Sequence, residues 1–290
     1  MDEIIITGLA LYGYHGCFPE ERSKGQPFIV DLVLRLDLTR ACRTDDLTDT
    51  VDYGKVCSIA AAVVEKTPYN LVEAAAQAVG DAVLKEFGTV ESLTVTLHKP
   101  EAPLGFPFTD VAVRVERKRR NRFYVGLGSN EGDREGFMTQ ALQSLADDGA
   151  LEVQAYSSLY ETAPWGKEDQ PLFLNAVAVV DTALTGAELL MRCRAVERSL
   201  GRIRHEKWGT RTIDLDLLFS EREESHTAFL EMPHPYLTER AFVLVPLSEV
   251  AGNITINGKE LTYWLKRLPE KDEIKKVKQP VRGYFIWKKF

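Results

Sequence analysis

Between Phe28 and Leu38 two sets of residues alternate without a break. Phe28, Val30, Leu32, Leu34, Leu36 and Leu38 face one way, and Ile29, Asp31, Val33, Arg35 and Asp37 the other. A period of two predicts a long antiparallel strand with one face in a core. A first strand is expected over about Asp2–Tyr12, with a turn at Gly13-Tyr14-His15-Gly16. Then the period changes. Val56, Ile59, Ala60 and Val63 share one face of a helix expected over Lys55–Lys66. Leu71, Ala74, Ala75, Ala78, Val79, Ala82 and Val83 do the same over Leu71–Phe87. Thr67-Pro68-Tyr69-Asn70 separates the two, with Asn70 placed as an N-cap. Alternation returns at Leu93, Val95, Leu97 and at Val111, Val113, Val115. The expected order is ββααββ, an antiparallel sheet with two helices on one face.

After the basic run Glu116–Arg122 a second pattern begins. Strands are expected at Phe123–Leu127, Leu151–Tyr160, Phe173–Val180 and Thr212–Phe219, and helices at Glu135–Leu145 and Ala187–Leu200. That order, βαββαβ, is the ferredoxin-like arrangement. The chain is therefore read as α+β in two domains, 1–118 and 123–290 with a C-terminal extension, joined by a linker at 119–122. The last 26 residues carry nine Lys/Arg against three Asp/Glu, read as a surface-packed tail and not a binding arm.

Composition changes this picture only by exclusion. A chain of 290 residues with 44% hydrophobic and 27% charged positions has ordinary globular proportions. No apolar stretch approaches the length of a membrane span. Met1-Asp2-Glu3-Ile4 shows no basic start of a signal peptide, so no membrane partner and a cytoplasmic location are expected. The net charge of −7 argues against nucleic acid as a partner. The four cysteines and five histidines are dispersed, without disulfide-framework or zinc spacing.

The densest chemistry lies between Arg202 and Asp216. Asp214 and Asp216 are two apart on an expected strand and so share a face, with Ile213, Leu215 and Leu217 on the other. Two carboxylates this close repel unless a cation relieves them, and oxygen ligands without imidazole suit Mg²⁺. The competing reading is a solvated pair on an edge strand. Arg202, Arg204 and Arg211 lie just upstream with Lys207, and guanidinium forks match phosphate oxygens. Carboxylates for Mg²⁺ beside an arginine cluster are the parts of phosphoryl transfer. Gly201 and Gly209 would let the segment between them move as a lid. The turn Gly126-Leu127-Gly128-Ser129-Asn130-Glu131-Gly132 fits neither G-x-G-x-x-G nor a Walker A loop.

Residues 123–265 resemble the 6-hydroxymethyl-7,8-dihydropterin pyrophosphokinase family. The marks are Gly128-Ser129-Asn130, Tyr160-Glu161-Thr162-Ala163-Pro164, Asp169 to Asn175, Arg202 through Asp216, Pro233-His234 and Arg240-Ala241-Phe242. The resemblance implies that Asp214 and Asp216 hold two Mg²⁺ ions against ATP. It implies that Arg202, Arg204, Arg211 and Arg240 bind phosphates, with Arg202 and Arg211 catalytic. Glu197, His234 and Tyr236 would contribute to the ATP site, although Pro235 intervenes where the family brings the aromatic nearer the histidine. Trp208 would fold over it. Thr162, Ala163, Pro164, Phe173, Asn175 and Phe242 would form a pterin slot, and the hydroxymethyl oxygen would attack the β-phosphorus of ATP with AMP leaving.

Residues 1–118 resemble the dihydroneopterin aldolase family through Gly13-Tyr14-His15-Gly16, Glu21, Gly25-Gln26, Thr50–Gly54, Asn70–Glu73 and Lys99-Pro100. The implied fold is the tunnelling fold, in which subunits join into an antiparallel barrel with sites between them. A homo-oligomer through this domain, a tetramer or octamer, follows. The implied reaction is retro-aldol cleavage of 7,8-dihydroneopterin without metal or cofactor. Lys99 would be the general acid/base, Glu21 would set its environment, and Tyr53 would come from a neighbouring subunit. Glu73, with Leu71 and Val72, would bind the pterin. The first reaction's product is the second's substrate, which makes the chain a bifunctional folate-pathway enzyme. Rival readings are a pyrophosphokinase whose first half is only an oligomerisation scaffold, and a pterin-binding sensor without chemistry.

Overall fold

The computed structural model of the chain describes residues 1–165, 169–202, 209–268 and 274–278. The chain divides into two compact units, Met1–Arg119 and Arg120–Phe290. In the first, β1 (Asp2–Gly13), β2 (Gln26–Leu36), β3 (Ser92–His98) and β4 (Ala112–Lys118) form an antiparallel sheet in the order β1-β2-β3-β4. Along β2 burial alternates at every position, from Gln26 through Leu36. The expected strand thus begins two residues early and stops at Leu36, where Asp37 accepts from the Thr39 amide and turns the chain. Short helices α1 (Pro19–Lys24) and α2 (Thr39–Thr44), absent from the periodicity, flank β2. Helices α3 (Tyr53–Lys66) and α4 (Val72–Glu86) cover one face, burying Val56, Ala60, Val64 and Ala75, Ala76, Val79, Val83 against Phe28, Val30, Leu32 and Leu34. Among the described residues β1 and β4 are free edges of this sheet, which closes no barrel.

The second unit has a six-stranded sheet between two helical layers. Its strands are β5 (Asn121–Ser129), β6 (Leu151–Tyr156), β7 (Leu159–Thr162), β8 (Phe173–Thr182), β9 (Asp214–Ser220) and, further on, β14 (Lys275–Lys278). The order is β14-β7-β8-β5-β9, with β6 also on β8. The four strands that the βαββαβ order predicts, with β6 and β7 together standing for the second, lie side by side in the order 4-1-3-2. Helices α5 (Arg134–Asp147) and α6 (Gly186–Ser199) pack on Phe123, Val125, Leu215 and Leu217. Helix α7 (Ala241–Val250), with α8 (Leu261–Leu265), packs on Tyr124, Val177 and Leu218 across the other face. Two small hairpins, β10 (Ser225–His226) with β11 (Glu231–Met232) and β12 (Thr255–Ile256) with β13 (Lys259–Glu260), complete the unit.

Three features differ from the expected pattern. Asn121 and Arg122, expected in the linker, are already in β5, where Arg122 opposes Asp181 and pairs with its carboxylate. The strand expected over Leu151–Tyr160 is broken at Ser157-Ser158. Tyr156 faces Ala178 while Tyr160 faces Asn175, so this side carries one extra residue, a bulge. Part of the basic tail returns to the sheet as β14 on the edge of β7. Among the described residues no helix is long and apolar enough to cross a membrane.

Candidate functional site

In the first unit the buried residues at one end of the sheet are polar. Lys99, directly after β3, is 7% exposed and ion-paired with Glu21 of α1, which is 8% exposed. Glu21 also accepts from the Phe18 amide (3.0 Å) and from Gln26 Nε2 (3.3 Å). Burial alone would raise the Glu21 carboxyl, but Lys99 and the Phe18 amide outweigh it and hold the carboxyl below its ordinary value. Gly16 has φ +150°, and a Cβ there would lie 2.2 Å from Glu21 Oε2, so glycine leaves that carboxylate its place. Beside them His15 is fully buried and accepts from the Tyr69 amide through Nδ1 (3.1 Å). Burial and the Lys99 charge push its pKa down, which favours the neutral ring.

The segment before α4 closes over the same end. Gly16 N donates to Tyr69 O (3.0 Å) and Arg22 bonds the Asn70 side chain. This brings Leu71, Val72 and Glu73, at the first turn of α4, to the end that holds Lys99; Leu71 and Glu73 are exposed there. Tyr53 does not join them. It is 64% exposed at the start of α3, in an apolar hollow with Ile4, Leu38 and Leu47. Lys99 follows His98, which pairs with Ile29, and so lies level with Leu11 on β1. Seven strand positions separate Ile4 from Leu11, roughly 20 Å.

The second unit has a cavity of about 420 Å³ on the face of the sheet that carries α7. Register builds its floor. One row across the strands reads Tyr160, Asn175, Gly128, Asp214, and the adjacent row places Gly126 beside Asp216. The two glycines leave the centre of the floor bare. A Cβ on Gly128 would meet Asn175 Oδ1 at 3.3 Å. At one end Asn175 Nδ2 donates to Thr162 Oγ1 (2.8 Å), with Phe173 and Phe242 beside them. At the other end Asp214 and Asp216 share a face, while Ile213, Leu215 and Leu217 are in the core behind.

Charge is concentrated at the acidic end. Asp214 is ion-paired with both Arg202 and Arg211. Burial would raise its carboxyl, yet the two guanidinium groups hold it below the usual range. Asp216 goes the other way: burial first, then the Asp214 charge, push it up to about 7. Arg240 lies 4.5 Å over the Trp165 ring and 4.9 Å over Tyr236. The Nε atoms of Arg211 and Arg240 have no hydrogen-bond partner among the described residues. His234 accepts from the Tyr236 amide (3.2 Å), and burial and then Arg240 push its pKa down to about 4. It is a neutral ring at pH 7.

Of the residues expected in this site, Thr162, Ala163, Phe173, Asn175, Arg202, Arg211, Asp214, Asp216, His234, Tyr236, Arg240 and Phe242 line the one cavity. Glu197 stands behind the wall, 4% exposed, where Oε1 takes the Leu215 amide (2.8 Å) and Arg202; it positions Arg202. Pro164 is not on the wall. Arg204 and Trp208, with the proposed lid, lie outside the described residues. Sequence reasoning passed over Trp165, one residue beyond the quoted motif, and quoted Asn130 without giving it a role; it is 2% exposed and holds the Arg211 amide through Oδ1 (2.9 Å).

The donor set fits a hard divalent ion. Among the described residues no three His, Cys, Asp or Glu side chains gather as a complete metal site. Asp214 and Asp216 are two hard oxygen donors on one face of the cavity, the kind of donor that Mg²⁺ would accept together with phosphate and water.

Comparison with known proteins assigns each unit to a family. The dihydroneopterin aldolase family (FolB) matches residues 4–116, and the 7,8-dihydro-6-hydroxymethylpterin-pyrophosphokinase family (HPPK) matches residues 124–252. Over 119 residues the chain is 48% identical to a dihydroneopterin aldolase of Streptomyces coelicolor, covering 41% of this chain and 99% of that protein. Over 147 residues it is 44% identical to a 2-amino-4-hydroxy-6-hydroxymethyldihydropteridine pyrophosphokinase of Methylorubrum extorquens, covering 51% of this chain and 93% of that protein. The folic acid synthesis protein fol1 of Pneumocystis carinii is 30% identical over 290 residues, covering 93% of this chain, which spans 39% of that longer protein. The chain belongs to the dihydroneopterin aldolase family over its first unit and to the hydroxymethyldihydropterin pyrophosphokinase family over its second.

Proposed function

We propose that this bifunctional folate-synthesis chain cleaves 7,8-dihydroneopterin in its first unit. The second unit then transfers a pyrophosphoryl group from ATP to the 6-hydroxymethyl-7,8-dihydropterin so formed. One observation carries the reading. A single cavity sets an amide, a hydroxyl and aromatic rings at one end of a bare glycine floor, and two carboxylates with three arginines at the other. The first end suits a flat heterocycle with a hydrogen-bonding edge, and the second a polyphosphate.

In the first unit Lys99 exchanges protons with the substrate side chain, directly or through water. A side-chain hydroxyl gives up its proton, the carbon–carbon bond beside it breaks, and the electron pair enters the ring C=N bond. Protonation of the ring-side carbon then yields the hydroxymethyl product, and glycolaldehyde leaves. Glu21 holds the Lys99 ammonium in place and Glu73 accepts from the pterin's amino edge. Tyr53 lies too far from Lys99 to serve the same chain's site, so it serves a neighbour's, and a homo-oligomer is required.

In the second unit Asp214 and Asp216 would hold two Mg²⁺ ions, which neutralise the triphosphate charge. Asn175, Thr162 and the Phe173 ring orient the pterin so that its hydroxymethyl oxygen faces the β-phosphorus. Arg202, Arg211 and Arg240 bind the phosphates, and the first two leave Asp214 to do so. The neutral His234 and Tyr236 contact the nucleotide. The phosphorus–oxygen bond to AMP breaks as the new one forms, without a covalent enzyme intermediate.

The test is a single incubation with dihydroneopterin, ATP and Mg²⁺. Glycolaldehyde, AMP and the pyrophosphorylated pterin should appear, with AMP formation dependent on the metal. No product from dihydroneopterin, but AMP once 6-hydroxymethyl-7,8-dihydropterin is supplied directly, would leave the first unit as a scaffold, and binding of both pterins with no product from either would make the chain a sensor.

A further inference from the structure

The chain continues past residue 252, where the pyrophosphokinase match ends, and part of that continuation returns to the catalytic sheet. β14 pairs antiparallel with β7: Lys275 faces Glu161, Lys276 faces Tyr160 and Lys278 faces Leu159. Lys276 thereby extends the row that runs through Tyr160, Asn175 and Gly128 to Asp214. Cross-strand neighbours point to the same face, which here is the face of α7.

Glu249, in the last turn of α7, gathers these parts. It accepts from the Ser158 amide (2.8 Å), the Ser158 hydroxyl (2.7 Å), the Tyr160 hydroxyl (3.0 Å) and Lys276 Nζ (3.0 Å). Ser158 sits at the break between β6 and β7. Burial and the Glu249 charge push the Tyr160 phenol up to about 12, so it remains a donor. The two elements that meet at Glu249 are two walls of the cavity. The first turn of α7 carries Phe242, and β7 ends with Thr162, whose hydroxyl holds the Asn175 amide.

We propose that Lys275–Lys278 is a strap that sets the pterin end of the cavity. By pairing with β7 and placing Lys276 on Glu249, it fixes the spacing between the Thr162–Asn175 edge and the Phe242 ring. The strap acts chiefly on affinity for the heterocycle, because Asp214 and Asp216 belong to β9, and Arg202 and Arg211 lie before it, on segments that neither β14 nor α7 carries; Arg240, the N-cap of α7, is the one phosphate-end group it reaches. Glu249 and Lys276 are positioning residues. The inference rests on the functional reading above, since it takes the slot's occupant to be a pterin.

The experiment is charge reversal in the full chain, Lys276→Glu, beside the conservative Lys276→Arg. Reversal turns an ion pair of about 1 kcal/mol into a repulsion, so the KM for 6-hydroxymethyl-7,8-dihydropterin should rise about fivefold or more. The kcat of transfer and the release of glycolaldehyde should stay within about twofold, because their groups are elsewhere, and the KM for ATP, which the strap reaches through Arg240 alone, should rise clearly less than the pterin KM. Lys276→Arg should keep the wild-type values. Fluorescence titration with the pterin, which needs no turnover, should show the same loss in Lys276→Glu. An unchanged pterin KM overturns the strap, as does an equal rise in the KM for ATP, which is the mark of general loosening. A wild-type chain that binds no pterin at all overturns the functional reading instead.

Discussion

Asp216 is a carboxylate that the fold places at a cost, and replacing it by asparagine should trade activity for stability. Burial and the Asp214 charge displace its pKa from 3.8 to about 7. In the unfolded chain the group ionises near its ordinary value. Between the two values the unfolded state gives up a proton that the folded state keeps, so stability falls as pH rises through this window and stays low above it. At about 1.4 kcal/mol per pH unit, the displacement amounts to about 4 kcal/mol above pH 7. Water in the open cavity screens part of this, so a gain of about 1–2 kcal/mol is expected for Asp216→Asn at pH 8. In a unit of this size that raises the melting temperature by about 3–6 °C. The advantage should shrink by pH 5, where the wild-type group is protonated. AMP formation should fall by about a hundredfold or more, because a carboxylate that would hold Mg²⁺ is gone, while glycolaldehyde release is unchanged. Melting curves at pH 5 and pH 8, with and without Mg²⁺ and a nonhydrolysable ATP analogue, make the comparison. The metal–nucleotide pair should stabilise the wild type more than the variant. A variant no more stable than wild type at pH 8, or one that keeps its transfer rate, would refute the assignment of Asp216 as a strained metal carboxylate.

Three further outcomes follow from the geometry. Inactive Tyr53→Phe and inactive Lys99→Ala chains, unfolded together and refolded as a mixture, should regain up to about a quarter of wild-type aldolase activity, because random assembly unites the two intact residues in that share of shared sites; no recovery would place both residues in one chain's site. Gly128→Val should weaken pterin binding by about tenfold or more, since its Cβ already meets Asn175 Oδ1 at 3.3 Å and its methyl groups fill the floor; calorimetric titration with the pterin would read this. His234, lowered to about 4 by burial and Arg240, makes the unfolded chain take up a proton first as pH falls. The stability it allows is full above about pH 6.5 and is lost towards pH 4, so His234→Gln should flatten the acid side of the melting-temperature profile.

The local pattern by itself determined the elements that face a core and the face on which chemistry lies. Alternation at Phe28–Leu36 marks the buried side of β2, and the spacing of Asp214 and Asp216 against Ile213, Leu215 and Leu217 sets carboxylates on one side and core on the other. These are consequences of a two-residue period, which needs no partner strand to be read. Family motifs added the chemistry of both halves. Tertiary structure alone decided what meets across strands and between elements. Register put Gly128 between Asn175 and Asp214, and the bulge at Ser157-Ser158 lets β7 follow a different register from β6. Packing placed Glu197 behind Arg202 instead of at the cavity, and Trp165 at the cavity beside Arg240. Sheet geometry set Tyr53 and Lys99 towards opposite ends of the first unit's sheet, and an edge of β7 took up four residues of a tail whose composition reads only as basic. Periodicity speaks of one segment at a time, whereas register, edges and salt-bridge partners join residues tens of positions apart, and only the folded chain chooses among them.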